Sequence, residues 1–289
     1  MPVSDRFVDV GIKLHVREWP GSKRSFVLVH GLSSNCRTWD AVADQLWRAG
    51  HRVVAVDQRG HGLSDKPEGD YDFATVAADL AGLLRVMELP QSILVGQSWG
   101  GNVLLDFGAR YPDLACGLAF IDGGFIDLRS RPDATWEKIA IELKPPGLTG
   151  TPREELRKRI QRSHPDWTET GVEATLNNFE TLSDGTIQPW LTLSRHMRIL
   201  RAMWNQEPVG LYPHVSVPTL ICVAVNQADP EWTKNKITQV ANAQAALPNT
   251  MVRWFEDTDH DIHVHKPAAL AELLLETMQN GFWHTCADQ

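Results

Sequence analysis

Short apolar runs alternate with longer stretches of helical spacing along most of the chain. Near the start, alternating apolar and polar positions predict an antiparallel hairpin over residues 6–10 and 12–17. Later compact apolar runs are typical of strands buried on both faces, at residues 26–29, 53–56, 93–95, 118–121, 219–225 and 251–255. Helical patterns lie between them at residues 38–49, 73–88, 100–110, 232–246 and 267–279. The pattern predicts an α/β fold with a mostly parallel eight-stranded sheet and helices on both faces.

This alternation stops between residues 125 and 212, where helical stretches at 136–143 and 152–163 are separated by proline and glycine and no strand pattern is seen. The segment contains Trp136, Trp167, Trp190 and Trp204, which we expect to join short helices rather than to contact a ligand. We therefore predict a core domain made of residues 1–124 and 213–289, with a helical cap (lid) of residues 125–212 inserted after the sixth strand.

The composition narrows the class of function. A chain of 289 residues, 43% of them hydrophobic, is long enough for one large catalytic unit. Its 36 acidic against 28 basic residues give a net charge of -8, which argues against nucleic acid and anionic membranes as partners. No apolar stretch approaches the ~18 residues of a membrane span, and the start of the chain lacks a signal-peptide pattern. We expect a cytoplasmic protein with a small-molecule substrate; a homo-oligomer is compatible with the sequence.

The segment from Gly96 to Gly101 carries the most specific chemical signal. It has the pattern G-x-S-x-G, directly after the apolar run 93–95 and at the start of a helical pattern. Such a turn places Ser98 between a strand and a helix, and a Cβ at residue 96 or 100 would strike one of them. Ser98 is therefore the candidate nucleophile. Because a serine hydroxyl is weakly nucleophilic, the site also needs a base, an acid and donors for an oxyanion.

His260 is the candidate base because it follows the last predicted strand, on the side of the sheet that carries Ser98. His263 and His265 lie close in sequence, but the three imidazoles lack the i, i+4 spacing of a helical metal site. The four cysteines are scattered without a C-x-x-C pair, so neither a zinc site nor a disulfide framework is predicted. We expect no metal and no cofactor.

Two aspartates are candidates for the acid. Asp229 follows the predicted strand 219–225, and carboxylates at strand ends face the ligand crevice of an open α/β sheet. A helix N-cap is the alternative role for Asp229. Asp122, at the end of the predicted strand 118–121, is the reserve candidate. With Asp229 as the favoured acid, the order serine, acid, histidine is the one expected for this elbow.

The oxyanion hole is predicted from two backbone N–H groups. Trp99 supplies the N–H that follows the nucleophile, and Leu32 supplies a second one from the loop after residues 26–29. Gly31 allows that loop to turn inwards. His30 is interpreted as a structural, hydrogen-bonded histidine.

Taken together, His30-Gly31, the block from Asp57 to Asp65, the elbow, and His260 seven residues before a proline resemble the α/β-hydrolase superfamily. More narrowly, they are similar to its branch of small esterases, cofactor-free haloperoxidases and C–C bond hydrolases. The resemblance covers nearly the whole chain and implies a Ser-His-Asp triad under a cap. One departure is Asp259, where relatives usually have a small residue; a carboxylate in close contact would raise the pKa of His260.

The sequence favours a serine hydrolase that cleaves a small to medium, largely apolar carboxylic ester through an acyl-enzyme. The same triad could instead act on a lactone, an amide or N-terminal-proline peptide, or a C–C bond. A third hypothesis is a non-catalytic ligand-binding protein that retains the fold, because fold alone does not determine function.

Overall fold

The computed structural model describes residues 3–226 and 230–283. Eight strands form one sheet, and their bounds are β1 Ser4–Asp9, β2 Lys13–Trp19, β3 Lys23–Val29, β4 His51–Val56, β5 Ser92–Gln97, β6 Ala115–Ile121, β9 Thr219–Ala224 and β10 Thr250–Phe255. Their order in the sheet is β1-β2-β4-β3-β5-β6-β9-β10. Pairings of β2 with β1 and with β4 are antiparallel, and the remaining pairings in this sheet are parallel. The predicted α/β fold with an eight-stranded, mostly parallel sheet is confirmed.

Helices cover both faces of this sheet. Alternate side chains of β3 point to opposite faces: Val27 and Val29 belong to one apolar cluster, and Phe26 and Leu28 to the other. This double burial explains why the strands are apolar without interruption. The first cluster is covered by α2 Phe73–Val86, α3 Trp99–Arg110 and α9 Pro230–Ala246, and the second by α1 Asp40–Arg48 and α11 Pro267–Gln279.

Residues 125–212 contain five α-helices, a short 3-10 helix at Leu128–Ser130 and a small antiparallel hairpin. The α-helices are α4 Trp136–Glu142, α5 Arg153–Ser163, α6 Glu169–Leu176, α7 Leu193–Asn205 and α8 Pro208–Leu211, and the hairpin strands are β7 Phe179–Thr181 and β8 Ile187–Pro189. The sequence-based expectation that this segment has no strands was wrong. Each strand has only three residues, too few for an alternating pattern to be recognised. The turn between them contains Asp184 and Gly185, and Gly185 has a φ of 80°.

The order of the strands determines where a site can form. The chain moves from β3 to β4 on one side and then returns to β5 on the other side of β3. At such a reversal the loops after the two central strands diverge and leave a crevice at the carboxyl edge of the sheet. The loops after β3 and β5 are those that carry Leu32 and Ser98.

No helix within residues 3–226 and 230–283 combines the length and the apolar character needed to cross a bilayer.

Candidate active site

Ser98 lies at the tip of the turn between β5 and α3. Its backbone has φ 52° and ψ -121°, a conformation that is rare for a residue with a side chain. Strained backbone of this kind costs about 1–3 kcal/mol and persists only where the surrounding structure enforces it. Here the Ser98 N–H donates a 2.9 Å hydrogen bond to the carbonyl of Ile121 at the end of β6. The sheet thus fixes the serine at its carboxyl edge.

The glycines of the elbow are required by close backbone contacts. A Cβ on Gly96 would lie 2.5 Å from the carbonyl oxygen of Gly100, and a Cβ on Gly100 would lie 2.5 Å from the carbonyl oxygen of His30. A Cβ on Gly123, in the loop after β6, would overlap the backbone of Ser98. The turn therefore packs against the loops after both neighbouring strands, and the steric reason given for the G-x-S-x-G pattern holds.

His260 lies in the loop between β10 and the short helix α10, Ile262–His265. Its ring Nδ1 is 2.6 Å from Oδ2 of Asp122, and the side chain is 41% exposed because it faces a cavity. That cavity has a volume of about 160 Å³. It is lined by Leu32, Ser33, Ser34, Thr38, Gln97, Ser98, Thr175, Asn178, His260, Asp261 and Val264. The candidate nucleophile and the candidate base therefore share one cavity, with Nε2 as the ring nitrogen not used by Asp122.

The carboxylate that meets His260 is Asp122, the reserve candidate, directly after β6. Its side chain is fully buried, and Oδ1 accepts a 3.0 Å hydrogen bond from the N–H of Ala224 at the end of β9. Asp229, the acid favoured from the sequence, lies outside the described residues. A φ of 45° at Asp122 marks the sharp turn after its strand.

A lysine that the sequence analysis did not single out completes this group. The Nζ of Lys236, on α9, is 2.6 Å from the same Oδ2 of Asp122, and its side chain is only 6% exposed. Lysines on amphipathic helices usually extend into water, so the sequence pattern held no signal for this contact.

Burial alone would raise the pKa of the Asp122 carboxyl, but hydrogen bonds and positive charge from His260 and Lys236 hold it below its usual value. Burial acts on His260 in the opposite sense, since it lowers the pKa of an imidazole. The hydrogen bond and charge of Asp122, with a smaller contribution from Asp261, outweigh it and raise the pKa of His260. Solvent that reaches the exposed ring through the cavity weakens the effect of burial on the pKa of His260. This agrees with a net rise of that pKa.

Asp259 does not act on His260 in the way that its position in the sequence suggested. Its carboxylate lies 2.9 Å from Nδ1 of His164 and accepts a 3.2 Å hydrogen bond from the indole N–H of Trp167. Asp259 therefore links the loop of His260 to residues 125–212, while Asp122 and Asp261 act on the histidine. Trp167 also stacks on His164, with ring centroids 4.0 Å apart.

The other histidines near His260 point elsewhere. His263 is fully buried against Trp39, with ring centroids 4.4 Å apart. His265 lies 2.7 Å from a carboxylate oxygen of Asp166, and its other nitrogen accepts the N–H of Asp259. The three imidazoles of residues 260, 263 and 265 thus have separate environments.

A different group of potential metal ligands lies away from the cavity. Within the described part of the chain, ligand atoms of His15, Cys36 and Asp57 come within 4.8 Å of one another. Asp57 is, however, 2.8 Å from Nδ1 of His15 and accepts N–H groups of Cys36 and Leu63. Burial raises the pKa of the Cys36 thiol well above its usual value. Through these contacts Asp57 connects His15 in β2 to the segment of Cys36 and to the loop after β4.

The two residues predicted for the oxyanion hole are both close to Ser98. Trp99 begins α3, and the first N–H groups of a helix have no partner within it. Leu32 follows β3 and lines the cavity with Ser98. A Cβ on Gly31 would overlap the side chain of Gln97, so this loop passes directly over the elbow. The backbone segments of Leu32 and Trp99 are therefore both close to Ser98.

His30 has both ring nitrogens engaged in the buried core. Nε2 accepts a 3.1 Å hydrogen bond from the N–H of Gln58, so Nδ1 carries the proton and donates to the carbonyl of Gly31 at 2.8 Å. This is the structural role expected from the sequence. The ring fixes the loop that carries Leu32 to the loop after β4.

A second, larger cavity of about 720 Å³ adjoins the first. The two share Ser33, Ser34, Thr175 and Asn178, and the larger one is walled mainly by residues 144–193. Its apolar walls include Leu156, Ile160, Phe179, Trp190 and Leu191. The segment is held to the core in part by His196, whose Nδ1 lies 2.8 Å from the hydroxyl of Ser33. Of the four tryptophans in the segment, Trp190 lines this cavity, while Trp136 and Trp204 pair with each other.

Comparison with known proteins places this arrangement in a family. The family model described as "Alpha/beta hydrolase family" matches residues 26–273. The chain belongs to the α/β-hydrolase family. It is therefore a hydrolase of that family, and the match includes the elbow, Asp122 and His260.

Among curated proteins, the 2-(acetamidomethylene)succinate hydrolase of Mesorhizobium japonicum is 42% identical over 118 residues. That match spans 40% of this chain and 42% of the relative. Among solved structures, E-2-(acetamidomethylene)succinate hydrolase has a TM-score of 0.78 and 24% identity, over 96% of this chain and 99% of that one. The bromoperoxidase of Bacillus anthracis has a TM-score of 0.73 and 20% identity, over 96% and 100%. The two structural similarities support the fold.

Proposed function

We propose that the protein is a serine hydrolase that cleaves a small to medium carboxylic ester through Ser98, His260 and Asp122. One observation carries this proposal: His260 binds the buried Asp122 through Nδ1 while it lines one cavity with Ser98 on its strained elbow. Nucleophile, base and orienting acid are the parts that acyl transfer needs. Asp229 remains the alternative acid.

In the proposed reaction His260 acts first as a base. Its Nε2 takes the proton of Ser98 as the hydroxyl oxygen attacks the acyl carbon of the ester. Asp122 keeps the second ring proton on Nδ1 and stabilises the imidazolium ion that forms. The N–H groups of Leu32 and Trp99 stabilise the negatively charged oxygen, a contribution worth about a hundredfold to a thousandfold in rate per donor.

The remaining steps release the alcohol and the acid and restore the serine. His260 returns its proton to the departing alcohol, which leaves an acyl group on Ser98. The same imidazole then removes a proton from a water molecule that attacks the acyl carbon. His260 gives this proton to the oxygen of Ser98 as the bond between that oxygen and the acyl carbon breaks, and the acid is released. No metal or cofactor takes part in this mechanism.

We further propose that residues 125–212 form a cap over this site and select the substrate. The contacts of this segment with Ser33 and Asp259 tie it to both loops that flank Ser98. The larger cavity, of about 720 Å³ and with mainly apolar walls, suits an uncharged, largely apolar part of the substrate. The smaller cavity next to Ser98 then receives the bond that is cleaved.

An amide is the second candidate for the scissile bond. The relative from Mesorhizobium japonicum is named for a compound with an acetamido group, and it is 42% identical over the aligned 118 residues. The proposed machinery can act on either bond, since both place a carbonyl carbon next to the serine.

The test is turnover of matched ester and amide substrates of increasing acyl length by the purified protein. We expect ester cleavage, with a loss of about a thousandfold or more in Ser98→Ala and in His260→Ala. The matched controls Ser130→Ala and His214→Ala, outside the site, should keep the wild-type rate. Wild-type rates in Ser98→Ala would refute the mechanism, and cleavage of the amides alone would favour the second candidate. A folded protein that binds these compounds without cleaving them would favour the ligand-binding hypothesis.

A further inference from the structure

Lys236 is a buried lysine that contacts the acid of the proposed triad. Its ammonium group donates a hydrogen bond to Oδ2 of Asp122 at 2.6 Å and a second one to the carbonyl of Ala224 at 3.0 Å. Lysine is almost never buried without a partner, because removal of its charge from water is energetically unfavourable. A lysine held at this position is therefore tied to the charge of Asp122.

The two oxygens of Asp122 have different surroundings. Oδ1 accepts the N–H of Ala224 at 3.0 Å, whereas Oδ2 receives both Nδ1 of His260 and Nζ of Lys236, each at 2.6 Å. A carboxylate with donors at both oxygens cannot rotate without breaking at least one of these hydrogen bonds. Lys236 also holds the carbonyl of Ala224, so Lys236, Asp122 and the end of β9 form one unit.

We propose that Lys236 is a positioning residue of this site, whose ammonium group fixes the oxygen of Asp122 that faces His260 and limits the attraction of that carboxylate for the imidazole proton. The proposal rests on the proposed function in one respect, since the catalytic effect of Lys236 requires His260 to act as a base. Lys236 is not among the residues that line the cavity of Ser98 and His260, so we assign its effect to Asp122 rather than to direct contact with the substrate.

Charges around His260 come from several elements. In the part of the chain that the structure describes, the groups that face it or its neighbours are Asp122 after β6, Lys236 on α9, Asp261 and Asp259 in its own loop, His263 on α10 and His164 after α5. Asp122 and Asp261 raise the pKa of His260, whereas Lys236 lowers it. Without Lys236, the negative charge of Asp122 would act on the imidazole without this opposition. Removal of the lysine charge should therefore make His260 hold its proton to higher pH.

The decisive experiment combines two substitutions with a matched control. Lys236→Met removes the charge and the donors, while Lys236→Gln removes the charge and keeps an N–H donor. Lys234→Met is the control, because Lys234 is exposed on the same helix. The readouts are the pH profile of kcat/KM for an ester and the NMR titration of the His260 ring in the Ser98→Ala background.

We expect Lys236→Met to move the acid limb of kcat/KM upwards by about one pH unit. Its kcat should fall by about tenfold to a hundredfold with little change in KM, because a misplaced Asp122 carboxylate affects the chemical step rather than substrate binding. Lys236→Gln should show the same pH shift with a smaller loss of kcat. Lys234→Met should match the wild type. An unshifted acid limb in both Lys236 variants would refute the proposal and leave the lysine a structural ion pair.

The NMR titration separates this proposal from the proposed function. It is recorded on protein without Ser98 and needs no turnover, so it gives an answer even if no ester is cleaved. A His260 titration that rises by about one pH unit without the lysine charge supports the proposal. An unchanged titration refutes it. If Lys236→Met does not fold, Lys236→Gln provides the same comparison, because its amide can still donate to Asp122.

Discussion

The burial of His263 predicts how the free energy of unfolding depends on pH. Its side chain is fully buried, and neither ring nitrogen has a hydrogen-bond partner among the described residues. Burial, with smaller contributions from charge at His260 and His30, lowers its pKa to about 3. The unfolded chain has a histidine pKa of about 6.5. Between these values the unfolded state binds a proton at residue 263 that the folded state does not, so the folded state loses stability as the pH falls.

The magnitude follows from the two pKa values. Each pH unit below about 6.5 costs about 1.4 kcal/mol, so the free energy of unfolding should lose about 2 kcal/mol at about pH 5 from this residue alone. His263→Phe keeps a ring against Trp39 and removes the titration. The variant should therefore lose about 2 kcal/mol less than the wild type between about pH 7.5 and about pH 5. A constant cost of fitting the larger ring cancels, because the measurement is a difference between two pH values.

Urea denaturation followed by tryptophan fluorescence at the two pH values gives this difference. The matched control is His214→Phe, which makes the same substitution at an exposed position. Equal losses of stability in the wild type and in His263→Phe would show that His263 takes up its proton in the folded state. The description of residue 263 as a buried neutral histidine would then be wrong.

Three further predictions concern the site. Gly100→Ala should abolish ester turnover, because its Cβ would lie 2.5 Å from the carbonyl oxygen of His30; retained activity would contradict the described elbow. Steady-state kinetics should show that Asp122→Asn reduces kcat by about ten-thousandfold, whereas Asp229→Asn reduces kcat by less than about tenfold. A larger loss in Asp229→Asn than in Asp122→Asn would identify Asp229 as the acid. The pKa of His260 is raised, and His260 must be neutral to act as a base. As the pH is lowered, kcat/KM should therefore reach half its maximum at a pH above about 6.5, the usual pKa of histidine. A half-maximum at a lower pH would contradict the ion pair with Asp122.

The part of the site that sequence alone predicts is the part that local geometry determines. The G-x-S-x-G pattern allows one type of turn, so Ser98 can be assigned without knowledge of distant residues. His260 is similarly marked by its position after the last strand. The alternation of strands and helices was sufficient for the sheet, since its buried strands are apolar on both faces.

The remaining parts depend on side-chain directions that a linear pattern does not contain. Asp122 and Asp229 follow strands that are neighbours in the sheet, so both were acceptable acids, and the geometry that brings Asp122 to 2.6 Å from His260 could not be inferred. Lys236 reaches Asp122 across a helix–sheet contact between residues 114 positions apart. The hairpin of β7 and β8 was missed because three residues carry no recognisable period.

The central claim is that His260 activates the hydroxyl of Ser98, and covalent labelling tests it most directly. The folded protein is treated with a fluorophosphonate, and the site of the adduct is located by peptide mass spectrometry. We predict one adduct per chain on Ser98, with labelling slowed by about a thousandfold or more in His260→Ala. Failure of the folded wild-type protein to label, or an adduct on another residue with Ser98 unmodified, would contradict the account.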